Sequence, residues 1–274
     1  KLLRFTLPSV GMMVFMSLYV MIYGFFVSNW CGATALAAVN FAYPVPAILG
    51  SLGFMLGTGG NAIVASTLGA GDRKLANERF SMLVFAALAG GIAFAILGTA
   101  TLRPLLAALG ASGQMLEDGI VYGSILVMSV PFTILQYLFQ ELMMTAGKPD
   151  MAFGVTVVAG VVNIVLDAVL IVGAGLGVAG AAIGTMAGEA AGALIPLVYF
   201  MRKYTSNLRL VRTRFDWRTL GRACCNGSSE MVSNIASSVV AMVYNIQLLA
   251  YLGEPGVAAY GVIANISLVV TAVY

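Results

Sequence analysis

Apolar residues fill this chain in long runs of about 20 residues or more, the length an α-helix needs to cross a hydrocarbon core roughly 30 Å thick. The runs lack the strict alternation of a membrane β-barrel and therefore predict helices. The first covers Phe5–Ser28, with Pro8 near its start. The second, Leu36–Leu68, is too long for a perpendicular crossing and carries Pro44 and Pro46, so a bend or tilt is expected. The third and fourth are Phe80–Leu102 and Gly119–Ala146, the latter interrupted by Pro131. The fifth and sixth, Met151–Val172 and Val178–Met201, flank the glycine-rich turn GAGLGVAG. A seventh run occupies Cys224–Leu252, and an eighth begins near Gly256 and is still apolar at Tyr274, which leaves a further set of spans to be expected beyond this sequence. The fold class is therefore an all-α membrane protein, a polytopic helical bundle.

Polar residues interrupt two of these runs at helical spacing. Asn163 and Asp167 stand four apart and share one face of the fifth span, while Thr185 and Glu189 repeat that spacing on the sixth. A carboxylate at membrane depth costs several kcal/mol unless it is neutralised, paired or turned toward a wet cavity, so these stripes read as a functional site. Gly180, Gly184, Gly188 and Gly192 recur every fourth residue and predict a flat ridge for the close approach of another helix. If that neighbour is the fifth span, the stripes meet, and two carboxylates close together in low dielectric would share a proton, which suits H⁺ exchange. The structural alternative is a plain interhelical hydrogen bond, worth about 0.6 kcal/mol. A second candidate set comprises Glu230 in NGSSE, early in the seventh span, Gln136, Tyr137 and Gln140 on the fourth, and Tyr23 on the first, read as cavity residues for a cationic substrate. The fragment GLGVAG has the spacing of a dinucleotide-binding loop, but that loop needs a strand, a helix and a soluble βαβ unit, and here both flanks are membrane-length apolar segments.

Composition agrees with the pattern and narrows the chemistry. Of the 274 residues 60% are hydrophobic and 9% charged, against about 25% charged in an ordinary soluble domain. There is no His, which removes the commonest metal ligand and general base and weighs against an enzyme or a haem protein. Three cysteines, Cys31, Cys224 and Cys225, are too few and too oddly spaced for a disulfide framework or a zinc site. Thirteen of the 14 Lys and Arg residues fall in alternate loops, with Arg103 the exception, and the positive-inside rule then places the N-terminus in the cytoplasm. Seven of them lie in the polar tract Arg202 to Arg222, which reads either as a segment along the membrane interface or as an irregular charged loop. Orientation and anionic lipid headgroups account for these cations without nucleic acid.

The end of the chain repeats its beginning. An offset of 221 positions places Gly32 on Gly253, Ala37 and Ala38 on Ala258 and Ala259, Tyr23 on Tyr244, Met21 on Met242 and Ser17 on Ser238. Six spans separate the copies, so they run in the same direction and predict two parallel lobes related by a pseudo-two-fold axis along the membrane normal. The expected division is a first lobe at 1–201, a basic linker at 202–222 and the start of a second, incomplete lobe at 223–274.

Together, the tracts GATALAAVNFAYP, LGAGDRKLA, LLAALGAS, TAGKPDMA, NIVLDAVLIVGAGLGVAGAAIGT and YLGEPGVAAYGV resemble the multidrug and toxic compound extrusion (MATE) family, and the resemblance runs through essentially the whole chain. It implies a bacterial cytoplasmic (inner) membrane transporter of twelve spans in two six-helix lobes, exchanging organic cations and amphipathic drugs for H⁺ or Na⁺ by alternating access. No cofactor is expected beyond the coupling ion, nor any partner beyond the drugs and the lipid bilayer, and the expected state is a monomer. Asn163, Asp167 and Thr185 match the family's first-lobe cation ligands, so Na⁺ is a candidate there. Tyr23 stands where similar proteins carry an Asp on the first span, and Glu189, one turn past Thr185, is taken here as the substitute charge. A lipid or lipid-linked polysaccharide flippase of the same superfamily ranks second, since no span carries a cation at depth for an anionic headgroup, and a non-transporting membrane protein ranks third.

Overall fold

The computed structural model describes residues 2–202 and 207–273, with side chains from residue 11 onward apart from 13–14, 265–266 and 268–273. Within the basic linker, residues 203–206 lie outside the described residues. Helices follow one another as α1 (Leu2–Phe26), α2 (Ala33–Ala42), α3 (Pro44–Gly69), α4 (Arg73–Ala108), α5 (Gly113–Thr145), α6 (Pro149–Asp167), α7 (Gly177–Met201) and α8 (Trp217–Val273). Six helical stretches among the described residues are long and apolar enough to cross a membrane; one of them, Ala33–Gly69, joins α2 to α3. The two helices meet at Tyr43, whose own backbone stays helical (φ −55°, ψ −37°); Pro44, which has no N–H to give to the helical ladder, fits the first turn of α3.

Both α1 and α6 end in wider π-helical turns, Val27–Cys31 and Ala168–Gly173. The second starts at the residue after Asp167, so the carboxylate sits where the α-helical ladder changes pitch. Gly32 follows the first turn with φ 90° and ψ 174°, and Gly253 breaks α8 with φ 69° and ψ −165°. A side chain with a Cβ rarely adopts that backbone conformation. The two glycines that the 221-residue offset superposes thus make the same sharp turn.

Packing separates the apolar side chains into two cores stacked along the bundle. One gathers Leu36 and Phe41 of α2, Leu102 and Leu106 of α4, Tyr122 and Leu126 of α5, Ile171 and Ala181. The other gathers Leu56 and Val64 of α3, Phe80 and Leu83 of α4, Ile134 and Phe139 of α5, Ala193 and Phe200. On α5 the two cores meet between Leu126 and Val130, and on α7 between Ala182 and Ala193. Those gaps hold Ser129 on α5 and Gly184, Thr185, Gly188 and Glu189 on α7, so the polar residues occupy the seam between the cores.

The helix α8 touches the rest of the bundle at two places. Near Gly253, Glu254 Oε2 accepts a hydrogen bond from Thr34 Oγ1 at 2.7 Å, and Asn245 Nδ2 donates to Asn40 O at 2.8 Å. At the opposite end, Gly59 of α3 meets Ala223 and Gly227 backbone to backbone, an approach only glycine permits. Elsewhere most of α8 is exposed in the described chain. Its first turn is capped by Asp216, which accepts from Arg218 N at 3.0 Å and Thr219 Oγ1 at 2.5 Å. The Thr219 hydroxyl holds this carboxyl below the ordinary Asp range, so the cap's contribution is complete above that range and is lost only as pH falls through the lowered value beneath it.

Candidate ion and substrate site

The ridge on α7 determines which polar groups meet. Built side chains at its glycines would strike α6 and the turn after it at three levels: Leu170 from Gly180, Asp167 Oδ1 from Gly184, and Ala159 O at 2.9 Å from Gly188. At the fourth level, Gly192, a Cβ would stand 2.7 Å from Gln136 Cδ on α5. The missing side chains at Gly180, Gly184 and Gly188 therefore let α6 close onto α7 and bring Asp167, Asn163 and Thr185 together, while Gly192 admits Gln136 of α5. Asn163 Nδ2 donates to Thr185 Oγ1 at 3.2 Å, and Thr185 in turn donates to Ala181 O at 3.0 Å. The stripes meet at Asn163 and Thr185.

Asp167 and Asn163 are buried, yet neither Asp167 oxygen nor Asn163 Oδ1 has a hydrogen-bond partner among the described residues. Buried polar atoms are nearly always paired, and three bare oxygens on one face of α6 beside a hydroxyl form a donor set for a small hard cation or a proton. No described cation compensates the Asp167 charge. Among the described residues there is no group of three or more His, Cys, Asp or Glu that could hold a metal ion, so the candidate set is one carboxylate with an amide and a hydroxyl.

Glu189 is placed differently from the expectation. Its Oε2 accepts from Ser129 Oγ at 2.5 Å and Thr133 Oγ1 at 2.8 Å, both on α5. No hydrogen bond joins it to Asp167. One turn separates Thr185 from Glu189, but α7 is wedged between two neighbours there, and the longer Glu side chain reaches the α5 side. A void of about 50 Å³ is lined by Gln136, Thr156, Asn163, Thr185 and Glu189 with Phe15, Met16 and Tyr19 of α1. Glu189 thus shares this cavity with Asn163 and Thr185 and shares no proton with Asp167. A water needs about 10–15 Å³ of such space, so a few waters, or an ion stripped of most of its hydration shell, fit.

The five residues read as a substrate cavity are not gathered in one place. Gln136 lines the void, and Gln140, one turn along α5, donates to Thr156 Oγ1 at 3.2 Å and Met12 Sδ at 3.1 Å. Tyr137 lies about 100° further round the helix and stacks on Phe54 of α3 with ring centroids 4.0 Å apart. Tyr23 donates to the hydroxyl of the buried Tyr122 at 3.0 Å. Glu230 is exposed on α8. Ser129, Thr133 and Tyr122 escape the reading from sequence, although Ser129 and Thr133 show the same four-residue spacing that singles out Asn163 and Asp167.

The family profile described as MatE matches residues 8–169, more than half of the chain. The chain belongs to the MATE family. Among curated MATE relatives, the multidrug export protein MepA of Staphylococcus saprophyticus is 29% identical over 261 residues, covering 93% of this chain and 57% of that protein. MepA of Staphylococcus aureus strain MRSA252 is 27% identical over 268 residues, covering 95% and 58%. The chain thus spans a little over half the length of these relatives. Among solved structures, the MATE multidrug transporter DinF-BH, solved in complex with a ligand, superposes with a TM-score of 0.93 at 25% identity, over 99% of this chain and 61% of that one. An inward-facing MATE transporter of the MOP superfamily gives 0.84 at 23% identity, covering 97% and 64%, a likeness of fold.

Proposed function

We propose that the chain is the first lobe, and the beginning of the second, of a secondary active multidrug efflux transporter that exports organic cations and amphipathic drugs in exchange for H⁺ or Na⁺. It catalyses no covalent chemistry. The observation that carries this reading is the bare, buried carboxylate of Asp167 beside Asn163 Oδ1 and Thr185 Oγ1. An anion held there without a donor is stable only while an ion or proton occupies the site, so occupancy and the conformation of α6 and α7 are coupled. Coupling of that kind is what an ion-driven exchanger needs. The names of the MepA relatives and the liganded complex of the multidrug transporter DinF-BH support drug-like substrates.

The remaining parts take roles around that site. Asp167 binds the coupling ion, Asn163 and Thr185 orient it, and Glu189 tunes the charge of the adjoining cavity. Gln136 and Gln140 present polar groups to substrate, with Glu230 meeting cationic drugs from the open side of α8. The lobes divide as 1–201 and 223–274 about the linker 202–222, a reading supported by the matched turns at Gly32 and Gly253. The protein is read as a monomer in a bacterial inner membrane, and the alternate loops rich in Lys and Arg support a cytoplasmic N-terminus.

Efflux of a fluorescent cation from proteoliposomes holding the intact protein, driven by imposed ΔpH or ΔNa⁺, tests the reading. Asp167→Asn is expected to abolish dependence on the effective gradient, and an undiminished dependence would remove Asp167 from the coupling site.

A further inference from the structure

The basic tract after α7 is an extended strap with two unlike faces. Its backbone is pinned along α4: Arg209 N donates to Asn77 Oδ1 at 2.9 Å and Val211 N to Ser81 Oγ at 2.8 Å, while Asp216 N lies 3.4 Å from Met82 Sδ. Leu210 N also donates to Phe200 O at 3.1 Å. The register is physical, since four helical residues rise about 6 Å and two extended residues about 6.6 Å, so a pair four apart on α4 matches a pair two apart on the strap. Leu208 is fully buried by this docking, and Leu210, Val211 and Thr213 are partly covered.

The other face is cationic and aromatic. Arg209, Arg212, Arg214, Arg218 and Arg222 are exposed, and none of them forms an ion pair with a described residue, the one such pair among those residues being Arg103 with Glu117. Exposed Arg73 and Lys74 begin the helix on which the strap lies. Of the nearby acids, Asp72 and Asp216 are engaged as helix caps, and Glu78, half-buried beside Asn77 on α4, forms no ion pair with the strap arginines among the described residues. Between the arginines, Phe215 and Trp217 pack ring to ring at 4.9 Å, yet stay 44% and 75% exposed. Trp217 is also the first residue of α8, about two helical turns ahead of the apolar run that begins at Cys224, which sets this pair at the level of the headgroups. Exposed aromatic rings at that level belong to the interfacial belt, and guanidinium forks match phosphate oxygens.

We propose that the strap from residue 207 to Arg222 is a docking surface for anionic phospholipids, with Phe215 and Trp217 seated among the headgroups and the five arginines holding lipid phosphates. Because the strap links α7 to α8 and is fastened to α4, headgroups bound there brace the joint between the first lobe and α8. The binding does not depend on the transport reading.

Trp217 is itself the reporter, the chain's other tryptophan being Trp30. The intact protein, with every tryptophan but Trp217 replaced by phenylalanine, is placed in nanodiscs containing either brominated phosphatidylglycerol or brominated phosphatidylcholine at equal mole fraction. Quenching by the anionic lipid is expected to exceed that by the zwitterionic one roughly twofold, as for a polybasic juxtamembrane segment. The excess should vanish at about 1 M salt, where the screening length is about 3 Å. It should also vanish when the five arginines become Gln, and survive when they become Lys. Arg103→Gln serves as the control at the other end and should leave the excess unchanged. Equal quenching by the two lipids, absence of quenching by both, or an equal loss in Arg103→Gln would each overturn the proposal; in the last case net charge alone would be attracting the lipid.

Discussion

Asp167 and Glu189 are two acids in one helix pair, and the fold treats them in opposite ways. Glu189 is given two hydroxyls, Ser129 and Thr133, each of which also lies within reach of a carbonyl of its own helix, Leu126 O for Ser129 and Ser129 O for Thr133. Rotating those hydroxyl hydrogens lets the same partners serve a carboxylate or a carboxylic acid. Asp167 has no hydrogen-bond partner among the described residues, and Gly184 leaves room for its Oδ1 where any Cβ would intrude. The difference teaches that an acid with internal donors is a part of the structure, whereas an acid stripped of them is completed from outside. Only the second kind suits the ion-responsive role proposed for Asp167.

The largest effect that sharpens this contrast is expected at Asp167. Asp167→Asn should reduce gradient-driven efflux about tenfold or more, since an isolated charge at this depth is worth several kcal/mol. The same protein should melt no lower than the parent in detergent, because the substitution removes an uncompensated buried charge; a collapse in melting temperature would mean the Asp is structural after all. Next comes Gly184→Ala, which drives a methyl group into the Asp167 carboxyl. A cost of about 1–3 kcal/mol is expected from overpacking, together with weaker ion activation of transport, and unchanged ion activation would show that the carboxyl has room to move.

Removing both donors from Glu189, as Ser129→Ala with Thr133→Val, should cost about 1–3 kcal/mol for a buried acceptor left bare. The penalty should shrink when Glu189→Gln is added, and denaturant or thermal melts of the four proteins in the cycle measure that coupling. An identical penalty in both backgrounds would end the claim that the hydroxyls act through Glu189. The smallest effect belongs to Thr185→Val, which breaks one interhelical hydrogen bond worth about 0.6 kcal/mol. Stability should barely change while the Na⁺ or H⁺ concentration for half-maximal transport rises, and the reverse pattern would make Thr185 a packing residue.

Much of this architecture is written in order along the chain. Membrane-length apolar runs, the break at Pro44, the alternate basic loops, the glycine ridge of α7 and the paired spacing of Asn163 with Asp167 are all local, and local periodicity survives folding because a helix keeps its own faces. The spacing of Thr185 and Glu189 is just as local, yet it misplaces Glu189. Which neighbour a long side chain reaches depends on how two helices flank a third. Tyr137, adjacent to Gln136 in sequence, is likewise turned away onto Phe54, while Glu230 stays on an uncovered face of α8.

The sequence by itself determined the helices, their order and the presence of ionisable groups inside two of them, because hydrophobic length and helical spacing act within single segments. Only the tertiary structure decided that the apolar side chains divide into two cores with the polar residues at the seam, that Asp167 is bare while Glu189 is held by α5, and that the basic tract lies as a strap on α4. Each of those outcomes depends on contacts between distant segments, such as Gly184 against Asp167 and Arg209 against Asn77, whose geometry is settled when close packing fills the bundle.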